Sequence, residues 1–169
     1  MFDKKLEVKA LQENPFHLIG TEWMLVTAQD AAGKVNTMTA SWGGVGVLWN
    51  KNVAFVFIRP QRYTREFIEQ ADSFSLCFLD ESYRKQLSYL GTVSGRDEDK
   101  IAKAGLHTAH IGDVPVFEEA RLVLTIKKLY KQSFAPECFI DKSLDTQNYS
   151  QKDYHIMYIG EITGAYANN

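Results

Sequence analysis

The stretch FVFIRPQRYTREFIE (residues 55–69) changes from a strand pattern to a helix pattern within a few residues. Its apolar run stops at Arg59, and the predicted strand ends there because Pro60 cannot donate a hydrogen bond to a neighbouring strand. Helical spacing of apolar residues begins shortly afterwards. The cations Arg59, Arg62 and Arg65 therefore surround the predicted N-terminus of a helix.

That helix is predicted over residues 63–71, with Thr64 as its candidate N-cap. A helix N-terminus exposes unpaired N–H groups and carries partial positive charge, so cations beside it are unfavourable unless an anion lies between them. A phosphate there would accept hydrogen bonds from the backbone of Tyr63 and Thr64 and from the guanidiniums of Arg59 and Arg62. The alternative is that the arginines are solvated and pair with some of the 21 acidic side chains, and the sequence leaves both open.

The rest of the chain predicts an α+β fold that is mainly β with a few short helices. Strands are predicted at 21–30, 35–42, 52–58, 73–79, 120–132 and 154–166, with a turn at 31–34. Further helices are predicted at 82–90, ended by Gly91, and at 97–105, closed by Gly105, while 43–49 and 134–153 are predicted to be irregular. This order favours an antiparallel barrel or sandwich, and the lack of a linker predicts a single domain over residues 1–169.

A second polar pattern lies in VNTMTASW (residues 35–42), which alternates strictly. Side chains of a strand point alternately to its two faces, so the hydroxyls of Thr37, Thr39 and Ser41 share one face. A row of hydroxyls suits either solvent or a flat ligand with many hydrogen-bonding edges, and by itself the alternation favours a half-exposed strand, of which it is typical.

A third polar segment, SGRDEDK (residues 94–100), precedes the helix predicted at 97–105. By itself it is explained as a loop with Ser94 or Asp97 as the N-cap.

Composition and charge exclude several classes of protein. With 169 residues, 45% hydrophobic and 24% charged, the chain is typical of a soluble domain, and a net charge of −2 does not favour nucleic acid as a partner. The apolar runs are too short for a membrane helix, and the charged N-terminus does not resemble a signal peptide. Cys77 and Cys138 lack CxxC spacing, which favours a reduced, cytoplasmic setting, and no metal-ligand grouping is apparent.

Four separated segments together resemble the flavin reductase-like family. They are NTMTASWGGVGVLW (36–49), FIRPQRYTREFI (57–68), YLGTVSGRDEDK (89–100) and YHIMYIGEI (154–162), in the family's order and spacing. The fold of that family is the FMN-binding split barrel, and the short flavoredoxin-like branch is the most similar part of it. The resemblance implies a homodimer that binds FMN in a groove near the subunit interface.

The resemblance also implies which residues contact the cofactor. Residues along the flavin ring and its ribityl chain would be Thr37, Met38, Thr39, Ala40 and Ser41. Residues that hold the phosphate would be Arg59, Arg62, Tyr63 and Thr64, and residues that approach the flavin or its phosphate would be Ser94, Gly95, Arg96 and Lys100. His155 occupies the place of a histidine that lies near the flavin face in many relatives, although here it is preceded by Asp153-Tyr154.

Two functions are compatible with this resemblance. The first is an enzyme, an NAD(P)H-dependent flavin reductase in which hydride passes from NADH or NADPH to FMN. The second is a flavoredoxin-like electron carrier that holds FMN tightly and exchanges electrons with a protein partner. The chain has no Rossmann GxGxxG, so a nicotinamide donor would dock transiently on the flavin face.

Overall fold

One antiparallel sheet organises the protein, as seen in a computed structural model that describes Phe2 and residues 4–168. Its strands are β1 (Lys4–Leu6), β2 (Met24–Gln29), β3 (Val35–Ala40), β4 (Gly43–Leu48), β5 (Lys51–Ile58), β6 (Ser73–Leu79), β9 (Ala120–Ser133) and β10 (Ile156–Ala167). The strand order is β3-β2-β6-β9-β10-β5-β4, and β1 pairs with β10. Strands β3 and β4 follow each other in the chain but lie at opposite ends of this order, so the sheet is open between them. Strands β7 (Thr108–Ile111) and β8 (Val114–Phe117) form a separate hairpin.

Short helices flank the sheet. They are α1 (Pro15–His17), α2 (Tyr63–Gln70), α3 (Arg84–Thr92), α4 (Lys100–Ala104) and α5 (Lys142–Asn148). Single turns of 3₁₀ helix cover Val8–Ala10, Glu81–Tyr83 and Pro136–Cys138, and a wider turn of π type covers Leu18–Glu22. Helices α2 and α3 pack against β3, at the open end of the sheet. The start of α2 and the end of α3 are thereby brought to the same strand.

Strands β2 and β6 and residues 120–126 of β9 are buried on both faces, which explains their apolar runs. In β6, Phe74, Leu76 and Phe78 contact the main core, whereas Cys77 and Leu79 contact a second core under α3, α4 and the β7–β8 hairpin. Strands β2 and β9 divide their side chains between the two cores in the same way. Burial on both faces removes the polar alternation that marks a half-exposed strand. These strands lie between the two cores, next to the open end of the sheet.

Most predicted elements are confirmed, and the bounds differ by a few residues. The strands predicted at 52–58, 73–79, 120–132 and 154–166 correspond to β5, β6, β9 and β10. The turn at 31–34 and the hairpin it joins are also confirmed. Gly105 closes α4 in a left-handed conformation (φ 68°), as its position after the helix predicted.

The prediction of an irregular segment at 43–49 is wrong, because residues 43–48 form strand β4. The strand pairs with β5 along its whole length, from Gly43 opposite Val56 to Leu48 opposite Lys51. Glycine weakens a strand signal in a sequence, yet at position 43 it is required: an added Cβ would lie 2.7 Å from the carbonyl oxygen of Phe55. Trp49 and Asn50 make the turn to β5 with φ of 53° and 58°.

Helix ends are predicted less well than helices. Gly91 does not end α3 but lies in its last turn, where an added Cβ would come within 3.2 Å of Thr39, so this glycine permits close packing on β3. Thr64 is not the N-cap of α2, because Arg62 occupies that position and Thr64 is already helical. The N-cap of α4 is Asp99, not Ser94 or Asp97. The segment 134–153, predicted to be irregular, contains a turn of 3₁₀ helix and α5.

Candidate functional site

A cavity of about 210 Å³ lies beside the start of α2, and we call it the arginine cavity. It brings together three segments that are distant in sequence, from β3, from the β5–α2 connection and from the α3–α4 connection. Eight residues predicted to contact a cofactor line it: Met38, Arg59, Arg62, Tyr63, Thr64, Ser94, Gly95 and Lys100. Asn36, Gln61, Thr92 and Val93 complete the lining. The predicted meeting of the polar segments therefore occurs in the fold.

Two cations of the arginine cavity have no acidic partner among the described residues. Arg62 Nη1 donates to the carbonyl oxygen of Gly91 at 2.6 Å. Lys100, only 4% exposed, donates through Nζ to the carbonyl oxygens of Leu90 at 2.8 Å and Val93 at 2.9 Å. Burial, and then the charge of Arg62, lowers the pKa of Lys100 to about 8. Desolvated like charges of this kind favour a bound anion.

The N-terminus of α2 adds hydrogen-bond donors to these charges. The first two backbone N–H groups of the helix, at Tyr63 and Thr64, have no acceptor among the described residues, and no side chain caps the helix. Thr64 is 1% exposed, and its hydroxyl accepts a hydrogen bond from Asn36 Nδ2 at 2.9 Å. Free N–H groups, a helix dipole and two unpaired cations thus meet at one place.

Arg59 differs from Arg62 because acidic and carbonyl groups already surround it. Its Nη1 donates to Asp153 Oδ2 at 2.6 Å and its Nη2 to the carbonyl oxygen of Asn148 at 3.0 Å. Its guanidinium carbon lies 5.3 Å from the ring centre of Tyr149. Gln61 and Arg59 together hold the pKa of the Asp153 carboxyl below its usual range. Pairing with acidic side chains, one of the two explanations left open by the sequence, therefore applies to Arg59.

The other two arginines of this region are also engaged. Arg96 pairs with Glu66 and stacks over the ring of Tyr63, with its guanidinium carbon 4.6 Å from the ring centre. Arg65 Nε donates to the carbonyl oxygen of Pro60 at 2.8 Å. Arg96 lies outside the lining of the arginine cavity. Its predicted contact with a phosphate stays a prediction.

A second concavity, of about 520 Å³, is mainly apolar, and we call it the aromatic groove. Ser41, Trp42, Gly43, Gly44, Val45, Phe57, Phe134 and Tyr149 line it, with Pro15, Phe16, Ile19 and Gly20 from the N-terminal segment. Trp42 is 48% exposed. Tyr149 connects the groove to the arginine cavity, because its ring contacts Arg59. Ser41 is the one predicted cofactor contact that lines the aromatic groove.

The hydroxyl row of β3 faces protein, not solvent. Thr37 is completely buried, and its Oγ1 lies 2.8 Å from Thr27 Oγ1 and 3.1 Å from the carbonyl oxygen of Val26. Thr39 Oγ1 donates to the carbonyl oxygen of Leu87 in α3 at 2.5 Å. The expectation of a half-exposed strand is therefore wrong at Thr37, which is buried against β2, whereas Thr39 is part-buried under α3. Contacts of Thr37, Thr39 and the buried Ala40 with a cofactor stay a prediction.

His155 lies beneath the exposed ring of Trp42. It is 7% exposed, its Nδ1 lies 2.8 Å from the hydroxyl oxygen of Tyr149, and its ring centre lies 5.2 Å from that of Trp42. Burial, and then the charge of Arg59, lowers the pKa of His155 to about 4. The imidazole is therefore neutral near pH 7 and orients Tyr149 by a hydrogen bond. Its predicted place near a flavin face stays a prediction.

Sequence reasoning missed three residues that shape the site. Asp153 and Tyr149 contact Arg59 although they lie about ninety positions further along the chain, and no local sequence pattern predicts such a contact. Asn36 has a local signal that was available: it directly precedes the alternating threonines of β3. Its side chain fills the space beside Gly95, so a Cβ added at position 95 would have to displace Asn36 Oδ1.

Other chemistry is not indicated in the part of the chain that the structure describes. Within residues 4–168 there is no cluster of three or more His, Cys, Asp or Glu side chains arranged to bind a metal. No helix described there has the length and apolarity needed to cross a membrane. Cys77 is buried and Cys138 is exposed, and both are free thiols.

Several proteins of known structure share this fold. The chain is similar to the flavoredoxin of Methanosarcina acetivorans, with 24% identity and a TM-score of 0.70 over 88% of this chain and 69% of the other. It is also similar to the FMN-binding domain of a flavin reductases-like enzyme from Shewanella baltica, with 19% identity and a TM-score of 0.70 over 97% and 76%. A split-barrel domain protein of Shewanella frigidimarina gives 21% identity and a TM-score of 0.70 over 97% and 76%.

At these identities the likeness shows a common fold, the antiparallel split barrel. No curated protein sequence matches the chain significantly. The model of one protein family, described as the flavin reductase like domain, matches residues 16–169, which is most of the chain. The chain therefore belongs to the flavin reductase-like family, in agreement with the four segments that resemble it.

Proposed function

We propose that this protein binds FMN, with its phosphate in the arginine cavity. The observation that carries the proposal is that Arg62 and Lys100 lack acidic partners and lie beside the free N–H groups of α2. A phosphate monoester carries about −1.5 to −2 charges at pH 7 and offers three acceptor oxygens. The donor set fits such a group better than a single carboxylate, because the two cations and the residues with the two free N–H groups line the same cavity.

The aromatic groove is the proposed place of the flavin ring. Met38 lines the arginine cavity and Ser41 lines the groove, and three residues of extended chain span about 10 Å. That distance suits a ribityl chain running between a phosphate and a ring. Trp42 and Tyr149 would provide aromatic surface, and Gly43 would allow the ring to approach the backbone.

Bound FMN would supply two-electron redox chemistry, and the protein would supply binding, orientation and electrostatics. Lys100 and Arg62 neutralise the phosphate, and Tyr149 excludes water from one side of the groove. His155 is neutral, so it positions Tyr149 and adds no charge near the ring. We propose that the donor is NADH or NADPH and that the protein acts as a flavin reductase.

A second candidate function is an electron carrier that holds FMN and exchanges electrons with another protein. The structural likeness to the flavoredoxin of Methanosarcina acetivorans supports it. The exposed ring of Trp42 at the groove also leaves that side accessible to a protein partner.

One experiment separates these functions. The purified protein, reconstituted with FMN, is mixed with NADH or NADPH without oxygen, and the absorbance of oxidised flavin near 450 nm is followed. Bleaching within seconds supports the reductase. Bleaching by dithionite but by neither nucleotide supports the carrier. A protein that binds no added FMN contradicts both functions.

We also propose that the protein is a homodimer formed through the outer face of the β4–β5 hairpin. Val45, Val47 and Trp49 are 39%, 74% and 53% exposed, and Val45 also lines the aromatic groove. Trp49 is a bulky residue with positive φ. Such a conformation costs about 1 kcal/mol or more and is kept where contacts with the surroundings or with a partner offset that cost. A second copy would cover this face, beside the groove.

The oligomeric state tests this proposal. Light scattering after size-exclusion chromatography should give a dimer for the unmodified protein and a monomer for Val47→Glu. Thr108→Glu, an equivalent change on the exposed β7–β8 hairpin, should leave the dimer intact. A monomeric unmodified protein, or a dimer that tolerates Val47→Glu, contradicts the proposed interface.

A further inference from the structure

Arg59 lines the arginine cavity, but its contacts belong to a different part of the protein. Its ion pair with Asp153, its hydrogen bond to Asn148 O and its contact with the Tyr149 ring all come from residues 148–153. Gln61 strengthens the same attachment, because its Nε2 donates to Asp153 Oδ2 at 2.8 Å. We call residues 148–153 the strap.

The strap forms one wall of the aromatic groove. Tyr149 is 3% exposed, lines the groove, and lies 2.8 Å from His155 through its hydroxyl. The strap runs from Asn148, the last residue of α5, to Asp153, shortly before β10. Arg59 directly follows β5, and its ion pair with Asp153 connects the strap to the sheet. Arg59 and Asp153 are about three-quarters buried, so their ion pair is partly shielded from solvent.

Charge balance argues against a contact between Arg59 and a phosphate. Arg59, Arg62 and Lys100 bring three positive charges to the cavity, and Asp153 neutralises one of them. Arg62 and Lys100 remain, and their two charges match a phosphate dianion. If a phosphate took Arg59 as well, Asp153 would be left unpaired beside a second anion, which is unfavourable in a partly buried place.

We propose that Arg59 is a positioning residue, which holds the strap and with it the Tyr149 wall of the aromatic groove, and that Arg62 and Lys100 bind the phosphate without it. This inference rests on the proposed binding of FMN and assigns different tasks to two arginines of one cavity. Arg59 then affects every flavin through the groove, whereas Arg62 affects only flavins that carry a phosphate.

The variant Asp153→Asn tests this by the sign of its effect. If Arg59 holds the strap, the loss of the ion pair weakens FMN and riboflavin by a similar factor, about fivefold. If Arg59 binds the phosphate, the same change removes a competing anion, so FMN binds more tightly and riboflavin is unchanged. Dissociation constants from flavin fluorescence distinguish the two results, and the second result overturns the inference.

Arg59→Gln and Arg62→Gln form a matched pair for the same titrations. We expect Arg59→Gln to weaken both flavins equally, and Arg62→Gln to weaken FMN about tenfold or more with riboflavin within about twofold. If the ratio of the FMN and riboflavin dissociation constants is the same in the two variants, the inference is overturned. An unmodified protein that binds neither flavin overturns the proposed function itself, which is a different and recognisable result.

Hydrogen–deuterium exchange gives a readout that needs no flavin. In the flavin-free protein, Arg59→Gln and Asp153→Asn should speed exchange of amides in residues 142–155, and Arg62→Gln should not. If exchange of this segment is unchanged in both Arg59→Gln and Asp153→Asn, the strap does not depend on Arg59 and the inference is wrong.

Discussion

Substitution of Lys100 by Met gives the sharpest test of the phosphate site. A hydrogen bond to a charged group contributes about 1.5–3 kcal/mol, so the loss of the Lys100 contact should weaken FMN by roughly tenfold to a hundredfold. Riboflavin lacks the phosphate, so its affinity should stay within about twofold of that of the unmodified protein. The contrast between the two flavins isolates the electrostatic contact from any general change of the site.

The variant should still fold, because two effects on stability oppose each other. Lys100→Met loses two hydrogen bonds to carbonyl oxygens, and each bond from a charged donor contributes about 1.5–3 kcal/mol. It also removes a buried charge, and the fall of the Lys100 pKa from 10.5 to about 8 corresponds to a cost of about 3 kcal/mol. Thermal denaturation of both proteins checks that they remain folded during the titrations.

The pH dependence of binding carries the second half of this prediction. Because Lys100 has a pKa of about 8, it is charged below that pH and loses its proton as the pH rises further. A bound phosphate favours the charged form, so above about pH 8 FMN should bind with proton uptake and its affinity should fall by up to about tenfold per pH unit. This dependence should be absent in Lys100→Met.

Titrations of FMN and riboflavin from pH 6.5 to pH 9.5 would measure both effects. Lys103→Met serves as the control, because Lys103 is 60% exposed on the same helix and pairs with Glu98. If Lys100→Met weakens both flavins equally, or if FMN keeps its pH dependence in that variant, Lys100 does not contact the phosphate.

Three further predictions follow from buried groups. His155 should destabilise the protein in acid, because its folded pKa of about 4 is below the unfolded value of 6.5. Stability that is present above pH 6.5 should fall by about 3 kcal/mol as the pH decreases to 4. Urea denaturation of His155→Gln should show a smaller loss of stability over the same pH range. Gly95→Ala should displace the Asn36 side chain, which lowers stability by about 1–3 kcal/mol and weakens FMN in the same titrations. Cys138 should react at once with a thiol reagent, whereas Cys77, buried with its pKa raised to about 11, should react only on unfolding.

Each of these predictions has a result that contradicts it. His107→Asn is the control for the first, because the pKa of His107 is raised by Glu119 and its effect on acid stability should have the opposite sign. A His155→Gln variant as sensitive to acid as the unmodified protein would show that the imidazole is not neutral when folded. Unchanged stability of Gly95→Ala would mean that Asn36 moves aside freely, and rapid reaction of Cys77 would mean that its strand opens in the native protein.

The sequence predicts most of the sheet because its central strands have clear apolar patterns. Strand β6 and residues 120–126 of β9 are buried on both faces, so they appear as apolar runs without a helix pattern. Strand β4 has a weak sequence signal, because three of its six residues are glycines, and of these Gly43 is needed for the close approach to the Phe55 carbonyl oxygen. The hydroxyls of β3 are harder to interpret for another reason. An alternating pattern shows that one face of the strand is polar, but it does not show whether that face contacts solvent or a helix packed on it.

The candidate site is likewise only partly predictable from local sequence, because some of its features depend on contacts between distant residues. The place of the cations follows from residues 59–65, because strand end, proline and helix start lie within seven positions. Which cations are free does not follow from that stretch. Asp153 neutralises Arg59 and Glu66 neutralises Arg96, whereas Arg62 and Lys100 meet carbonyl groups, and these choices depend on contacts across the fold.

The connection between β9 and β10 leaves and rejoins the sheet at one point. Phe134 N donates to the carbonyl oxygen of His155 at 2.9 Å, and Ser133 pairs with Ile156. Because the two ends are fastened to each other, residues can be added or removed between them at little cost to the strands, since the entropy of closing a loop grows slowly with its length. Under the proposed function, a change in that length would alter access to the aromatic groove, which Phe134 and Tyr149 line, while strands β9 and β10 stay the same.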